Sequence, residues 1–197
     1  MSAPPNGPAR PRLSVVVATY GRPASLERLL ADLAEQTIGP SAFEVVVVDD
    51  GSPEPVAQAL GPRAYPFALR LERQTNAGPA AARHRGAELS RGEVLLFFDD
   101  DMRLPSATLA AHRAAHEGAR AVVLGQIVPA PDLPRLPLFE RFHAGVLAAH
   151  YADLEATGRP PRGKEVCAGN LSLRRDDYFA VGGFDRALGR SEDAELG

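Results

Sequence analysis

The sequence predicts an α/β domain with a mostly parallel central sheet and helices on both faces. Three observations carry that expectation. Short β-branched apolar runs alternate with helical stretches from Leu13 onward, two of those runs are apolar without interruption, and three runs end in Asp, Gly, Ser and Pro. Alternation of strand and helix is the mark of βαβ units, and a strand covered on both faces has no polar side to alternate with.

Taken in order, residues 1–12, MSAPPNGPARPR, have no apolar period and are expected to be a disordered lead-in. Strands are expected at 13–19 (LSVVVAT), 43–50 (FEVVVVDD), 67–74 (FALRLERQ), 93–99 (EVLLFFD) and 120–128 (RAVVLGQIV). Helices fall between them, near 24–36, 54–60, 78–90 and 106–117. The uninterrupted runs 45–48 and 94–98 should lie deepest.

After Val128 four prolines punctuate PAPDLPRLPLFERF, an Ala-rich stretch at 139–156 reads as a helix, and TGRPPRGKE reads as a loop. The apolar residues Leu136, Leu138, Phe139, Phe142, Val146 and Leu147 are taken as core packing, with a surface facing a lipid-linked acceptor as the other reading. A strand at 167–173 and a short helix beginning near Asp176 follow, and the sequence stops at Gly197 just inside what reads as a new helix. The expectation is one domain over 13–197, the front portion of a longer catalytic domain, in two halves at 13–128 and 129–197.

Composition narrows the function classes. With 45% hydrophobic residues, 24% charged residues and a net charge of −3, the chain has no global electrostatic case for binding nucleic acid. Cys167 is the single cysteine, so no disulfide forms within the chain, and it reads as a small buried residue rather than a nucleophile. Neither a signal peptide nor an 18-residue apolar run is present, so a cytoplasmic protein without a membrane span is expected, with peripheral attachment at the inner face of a membrane left open.

The chemistry is expected at the strand ends, because ligands of open parallel sheets bind at the carboxyl edge. Strand one runs into ATYGRP, strand two into VDDGSPEP and strand four into FDDDMRLP. Any one of these reads first as a turn or helix cap. Three consecutive aspartates do not, since two carboxylates about 4 Å apart repel by roughly 4 kcal/mol at an effective dielectric of about 20. A divalent cation reverses that sign, and hard oxygen ligands suit Mg²⁺ or Mn²⁺ bound jointly with a substrate's phosphates. Asp99 and Asp101, one residue apart, are expected to reach one side, with Asp100 pointing elsewhere into solvent. There is neither a GxxxxGK[ST] loop nor a GxGxxG, so phosphates fall to the metal and to arginines, with Arg83 and Arg85 on the third helix as candidates. His112 and His116 are spaced to face one metal, but no third ligand accompanies them, and a solvated helix face is the preferred reading.

The blocks VVVATYGRP, LAEQTIGPSAFEVVVVDDGS, NAGPAAARHRGAELSRGEVLLFFDDD, AGNLSLRRDDYFAVGGFD and SEDAEL, in this order, resemble the family-2 glycosyltransferases of GT-A fold over nearly all of 13–197. The resemblance implies transfer of a sugar from a nucleoside diphosphate, typically a UDP-sugar, to a hydroxyl of a glycan, lipid carrier or small molecule, with Mn²⁺ or Mg²⁺ and inversion at the anomeric carbon. It implies Tyr20 against the base and Asp50 accepting from the base edge, with Arg83 as a further nucleotide contact. His84 stands where the family often has Asn. Asp99 would lie near the ribose and phosphate, Asp101 on the metal as in a DxD motif, and Gly169 and Asn170 at the donor sugar. Asp193 would be the catalytic base with Glu192 beside it, although SEDAELG alone reads as a helix start. Two other classes stay open: a sugar nucleotidyltransferase, which lacks its Gly-rich loop here, and a non-catalytic nucleotide-sugar-binding module.

Overall fold

The computed structural model describes residues 11–118, 120–128, 135 and 137–187. Within them β1 (Leu13–Thr19), β2 (Phe43–Asp49), β3 (Ala68–Arg73) and β4 (Val94–Asp99) are parallel strands joined by α1 (Pro23–Ala34), α2 (Val56–Leu60) and α3 (Pro79–Leu89). Then come α4 (Thr108–Ala115), the two-residue β5 (Val123–Leu124), α5 (Leu138–Thr157), β6 (Asn170–Arg174) and α6 (Arg175–Ala180). The sheet order is β3-β2-β1-β4-β6-β5, and β6 runs antiparallel to both β4 and β5.

Side chains of successive strand residues point to opposite faces, and this sheet uses both. Val15, Val17, Val45, Val47, Leu96 and Phe98 pack under Leu26, Leu29, Leu30 and Leu33 of α1, with Leu109 of α4. Val16, Leu95 and Phe97 face the other way, onto Ala80 and Ala87 of α3, Tyr178 of α6 and Phe184. The apolar stripe of α1, at spacings of three and four, is what puts that helix on the sheet. Truncating Leu30, which is wholly buried there, is expected to cost about 2–5 kcal/mol.

The uninterrupted strands are buried as expected, and β1 is equally buried because it is the central strand between them. Three expectations need correction. The strand at 120–128 reduces to Val123–Leu124, since only those residues pair with β6. Cys167 is only half-buried. On α5, Leu138, Phe139, Phe142 and Val146 are exposed rather than packed, because the helix does not lay that face on the sheet. No helix among the described residues is long and apolar enough to cross a membrane.

Candidate functional site

The register of the parallel strands sets the site. Thr19 lies beside Asp49, and Ala18 beside Asp99, so the polar residues after β1, β2 and β4 emerge along one edge. The order β3-β2-β1-β4 reverses direction between β1 and β4. Such a switch point opens a crevice outside the carboxyl ends of the strands, the usual ligand position in this architecture. Antiparallel β6 pairs Asn170 with Phe98, which brings the residue before it, Gly169, to the same edge.

Each turn is fastened to its neighbour. The N–H of Gly21, at φ 66°, donates to Ser52 Oγ at 2.8 Å, leaving the ring of Tyr20 half in solvent. Asp49 accepts from the N–H groups of Ser52 and Val56 at 2.9 and 3.1 Å and from Arg73 at 2.9 Å. Burial works to raise its pKa, but these donors outweigh it and hold the carboxyl below its usual range. Asp50 is buried and clasps the loop after β3: Oδ1 accepts from Gln74 Nε2 at 2.8 Å and Ala77 N at 2.9 Å, and Oδ2 from Gly78 N at 2.9 Å. A carboxylate has about four acceptor sites, so Oδ2 keeps one for a further donor.

The aspartate triplet is arranged differently from the expectation. The strand ends at Asp99 and the next two residues form a turn, so two-residue alternation does not extend to Asp101. Asp99 has the parity of Leu95 and Phe97 and faces α3, where Arg83 Nη2 lies 2.6 Å from Oδ1. Asp100 is wholly buried, not solvated: Thr19 Oγ1 donates to its Oδ2 at 2.6 Å. Burial pushes its pKa up, opposed by the Thr19 hydroxyl and Arg22. Arg22 bridges the turn, with Nη2 2.7 Å from Asp100 Oδ1 and Nη1 2.7 Å from Asp101 Oδ2. The first of these is an ion-pair contact without hydrogen-bond alignment, so the buried Oδ1 is left without a proper donor. Arg85 is turned away, to Glu72 and Glu88 at 3.1 and 3.2 Å.

Gly169 lies close against the aspartate triplet, since a Cβ there would lie 2.8 Å from Asp99 Oδ2 and push that carboxylate aside. The Asn170 side chain turns inward, its Oδ1 2.9 Å from His112 Nε2. His112 and His116 are not on a solvated face. Both are buried, and both reach Ser172 Oγ, at 2.7 Å from His112 Nδ1 and 2.8 Å from His116 Nε2. Burial lowers the pKa of each. The face of α4 that carries them packs under β6, which the spacing alone does not reveal.

Asp193 and Glu192 lie outside the described residues. Among the described residues no three His, Cys, Asp or Glu side chains are placed to hold a metal ion. Asp100 and Asp101 do converge, on one guanidinium, and Asp100 Oδ1 lacks an aligned donor. That hard-oxygen pair fits Mg²⁺ or Mn²⁺, which bind through one or two carboxylates and take the remaining oxygens from phosphates. Sequence reasoning quoted Arg22, Thr19 and Ser52 but gave none a role. The signal for Arg22 was its place directly after the first strand, opposite the acids.

The fold is an α/β domain of GT-A type. The sequence model of glycosyl transferase family 2 matches residues 14–179, and the chain belongs to that family. Validoxylamine A glucosyltransferase of Streptomyces hygroscopicus subsp. limoneus is 34% identical over 217 aligned residues, covering 95% of this chain and 47% of that protein. An uncharacterized glycosyltransferase of Haemophilus influenzae is 43% identical over 90 residues, 45% of this chain and 29% of that protein. Among solved structures, S. aureus TarS 1–349 in complex with UDP-GlcNAc superposes with a TM-score of 0.69 at 24% identity, covering 94% of this chain and 52% of that one. The mannosyltransferase PcManGT of Pyrobaculum calidifontis, in complex with GDP-Man and Mn²⁺, gives 0.68 at 24% identity, covering 96% and 52%. The chain spans about half the length of validoxylamine A glucosyltransferase.

Proposed function

We propose that this chain carries the donor-binding part of a metal-dependent, inverting glycosyltransferase that moves a sugar from a UDP-sugar to an acceptor hydroxyl on a glycan, lipid carrier or small molecule. The observation that supports it most is the convergence of Tyr20, Asp50 and the Asp99–Asp101 turn on one edge of the sheet, around the β1/β4 switch point. Tyr20 stacks on the base, and the unused acceptor site of Asp50 takes the base N–H. Arg83 and Asp99, already paired, sit at the ribose and phosphate. Gly169 and the backbone of Asn170 border the donor sugar, where a side chain on Gly169 would displace the Asp99 carboxylate.

A bound Mn²⁺ or Mg²⁺ at Asp101 supplies Lewis-acid neutralisation of the charge that develops on the leaving diphosphate. Asp193, with Glu192 beside it, takes the proton of the acceptor hydroxyl as that oxygen bonds to the anomeric carbon. The bond from that carbon to the diphosphate oxygen breaks with its electron pair leaving on the diphosphate. Attack opposite the leaving group inverts the centre in one displacement.

The test is donor hydrolysis and transfer with Mn²⁺, alongside calorimetric UDP binding, for the wild type and Asp101→Ala. Metal-dependent turnover lost in Asp101→Ala supports the reading. Tight Mn²⁺-dependent UDP binding with no turnover on any acceptor favours a non-catalytic nucleotide-sugar-binding module instead.

A further inference from the structure

Each aspartate of the triplet that ends β4 has an arginine partner, but the two arginines are held differently. Arg83 is almost buried on α3 and its backbone lies inside a regular helix. Arg22 stands at the mouth of the crevice with a side chain 52% exposed, and its guanidinium spans two carboxylates at once. Its backbone is anchored, since its carbonyl accepts from the N–H groups of Ser25 and Leu26 at 3.1 Å and Pro23 follows at the start of α1. Among the described residues Asp100 and Asp101 are the only ion-pair partners of its side chain. One end of Arg22 is therefore fixed and the other is free to exchange partners.

We propose that Arg22 is the resident counter-ion of the Asp100–Asp101 pair, which a divalent cation has to displace, so that the site takes up free metal poorly and takes it up well only together with a nucleoside diphosphate. This rests on the function proposed above. Adjacent carboxylates, one of them buried, repel one another unless positive charge lies between them. The guanidinium supplies it at 2.7 Å from each. A cation bound to those oxygens and a guanidinium at the same oxygens repel one another and compete for the same lone pairs. Arg22 must then swing out on its anchored backbone, and at a switch-point crevice the diphosphate is the anion waiting for it. Diphosphate binding thus stabilises the displaced arginine and metal binding releases it, a coupling that is reciprocal by thermodynamic necessity.

The experiment is a Mn²⁺ titration of this chain, followed by electron paramagnetic resonance of free Mn²⁺, with and without UDP. It compares the wild type, Arg22→Ala and Arg22→Lys, with circular dichroism confirming the fold. Arg22→Ala is expected to bind Mn²⁺ alone about threefold to fivefold more tightly, a gain of the order of one partly exposed ion pair, and UDP should then tighten Mn²⁺ by a correspondingly smaller factor. Arg22→Lys, which keeps the charge but not the two-pronged bridge, should fall between. If Arg22→Ala unfolds, Arg22→Met, which keeps the apolar stem, is read in its place. Equal Mn²⁺ affinity in wild type and variant without UDP, with UDP-linked Mn²⁺ binding intact, overturns the role of Arg22 and leaves the function standing. No Mn²⁺ binding in any protein, with or without UDP, overturns the metal reading and the role of Arg22 with it.

Discussion

Two polar clusters lie near the β4–β6 pair, and they solve the problem of polar groups near a core in different ways. At the carboxyl edge, Asp99, Asp100 and Asp101 meet Arg83 and Arg22 in a partly open, charged arrangement with one buried oxygen lacking an aligned donor. Beneath β6, His112, His116, Ser172 and Asn170 form a buried, uncharged one, in which His116 Nδ1 is the atom without a hydrogen-bond partner. One proton arrangement satisfies its three contacts. His112 Nε2–H donates to Asn170, the Ser172 hydroxyl donates to His112 Nδ1, and His116 Nε2–H donates to Ser172, so both rings are neutral as burial favours. A neutral cluster whose hydrogen bonds run among its own members holds structure. A cluster that is over-supplied with like charge and incompletely bonded is waiting for something that the protein does not itself contain.

Substitutions can break or sharpen that contrast. The largest effect should come from the open cluster and its expected partner across the donor: Asp193→Asn abolishes transfer with donor binding nearly intact, and Asp101→Ala lowers kcat by about 10²–10³-fold with Tm almost unchanged, as steady-state kinetics and calorimetry would show. The buried cluster should respond in stability instead. His112→Ala leaves Asn170 Oδ1 and the Ser172 hydroxyl proton without their His112 partner and is expected to cost about 2–3 kcal/mol in urea unfolding, while UDP affinity stays within about twofold. If UDP affinity falls and stability does not, the histidines belong to the site and the contrast is wrong.

Asp100 tests the border between the two, because it is charged like one cluster and buried like the other. Asp100→Ala should cost about 2 kcal/mol by orphaning the Thr19 hydroxyl. Asp100→Asn keeps an acceptor for Thr19 and should stay within about 1 kcal/mol of the wild type. Tyr20→Ala should weaken UDP binding about tenfold, the size of a lost base–aromatic stack, with no change in Tm.

The smallest effect is a pH slope. The folded pKa values of His112 and His116 lie below the ordinary value, so the unfolded chain binds more protons as pH falls below about 6.5. Their contribution to stability is full above that pH and is lost as pH falls toward the folded values. Tm measured from pH 8 down to 5 should drop below pH 6.5, and less steeply in His116→Gln.

Much of this was legible from periodicity and strand-end chemistry. Apolar runs at 13–19, 43–50 and 93–99 had to be covered strands, and acids at their ends had to gather wherever parallel strands share a carboxyl edge. The Asp99–Asp101 register was misread because alternation was carried past the end of the strand into a turn. The His112 and His116 environment was missed because a helix whose apolar stripe is weak does not say which face it buries. The α5 residues Phe139 and Phe142 were misplaced for the converse reason, since apolar character by itself does not bring a helix onto a sheet.

By itself, then, the sequence determined the α/β class, the strands and helices, and the residue types gathered at the edge, because those depend on local period and on what a covered strand must contain. The antiparallel entry of β6 that brings Gly169 to Asp99, the inward turn of Asn170 and the grip of Arg22 on Asp100 and Asp101 were decided only by the tertiary structure. Those contacts join residues far apart in the chain, and no local preference specifies which charge will meet which.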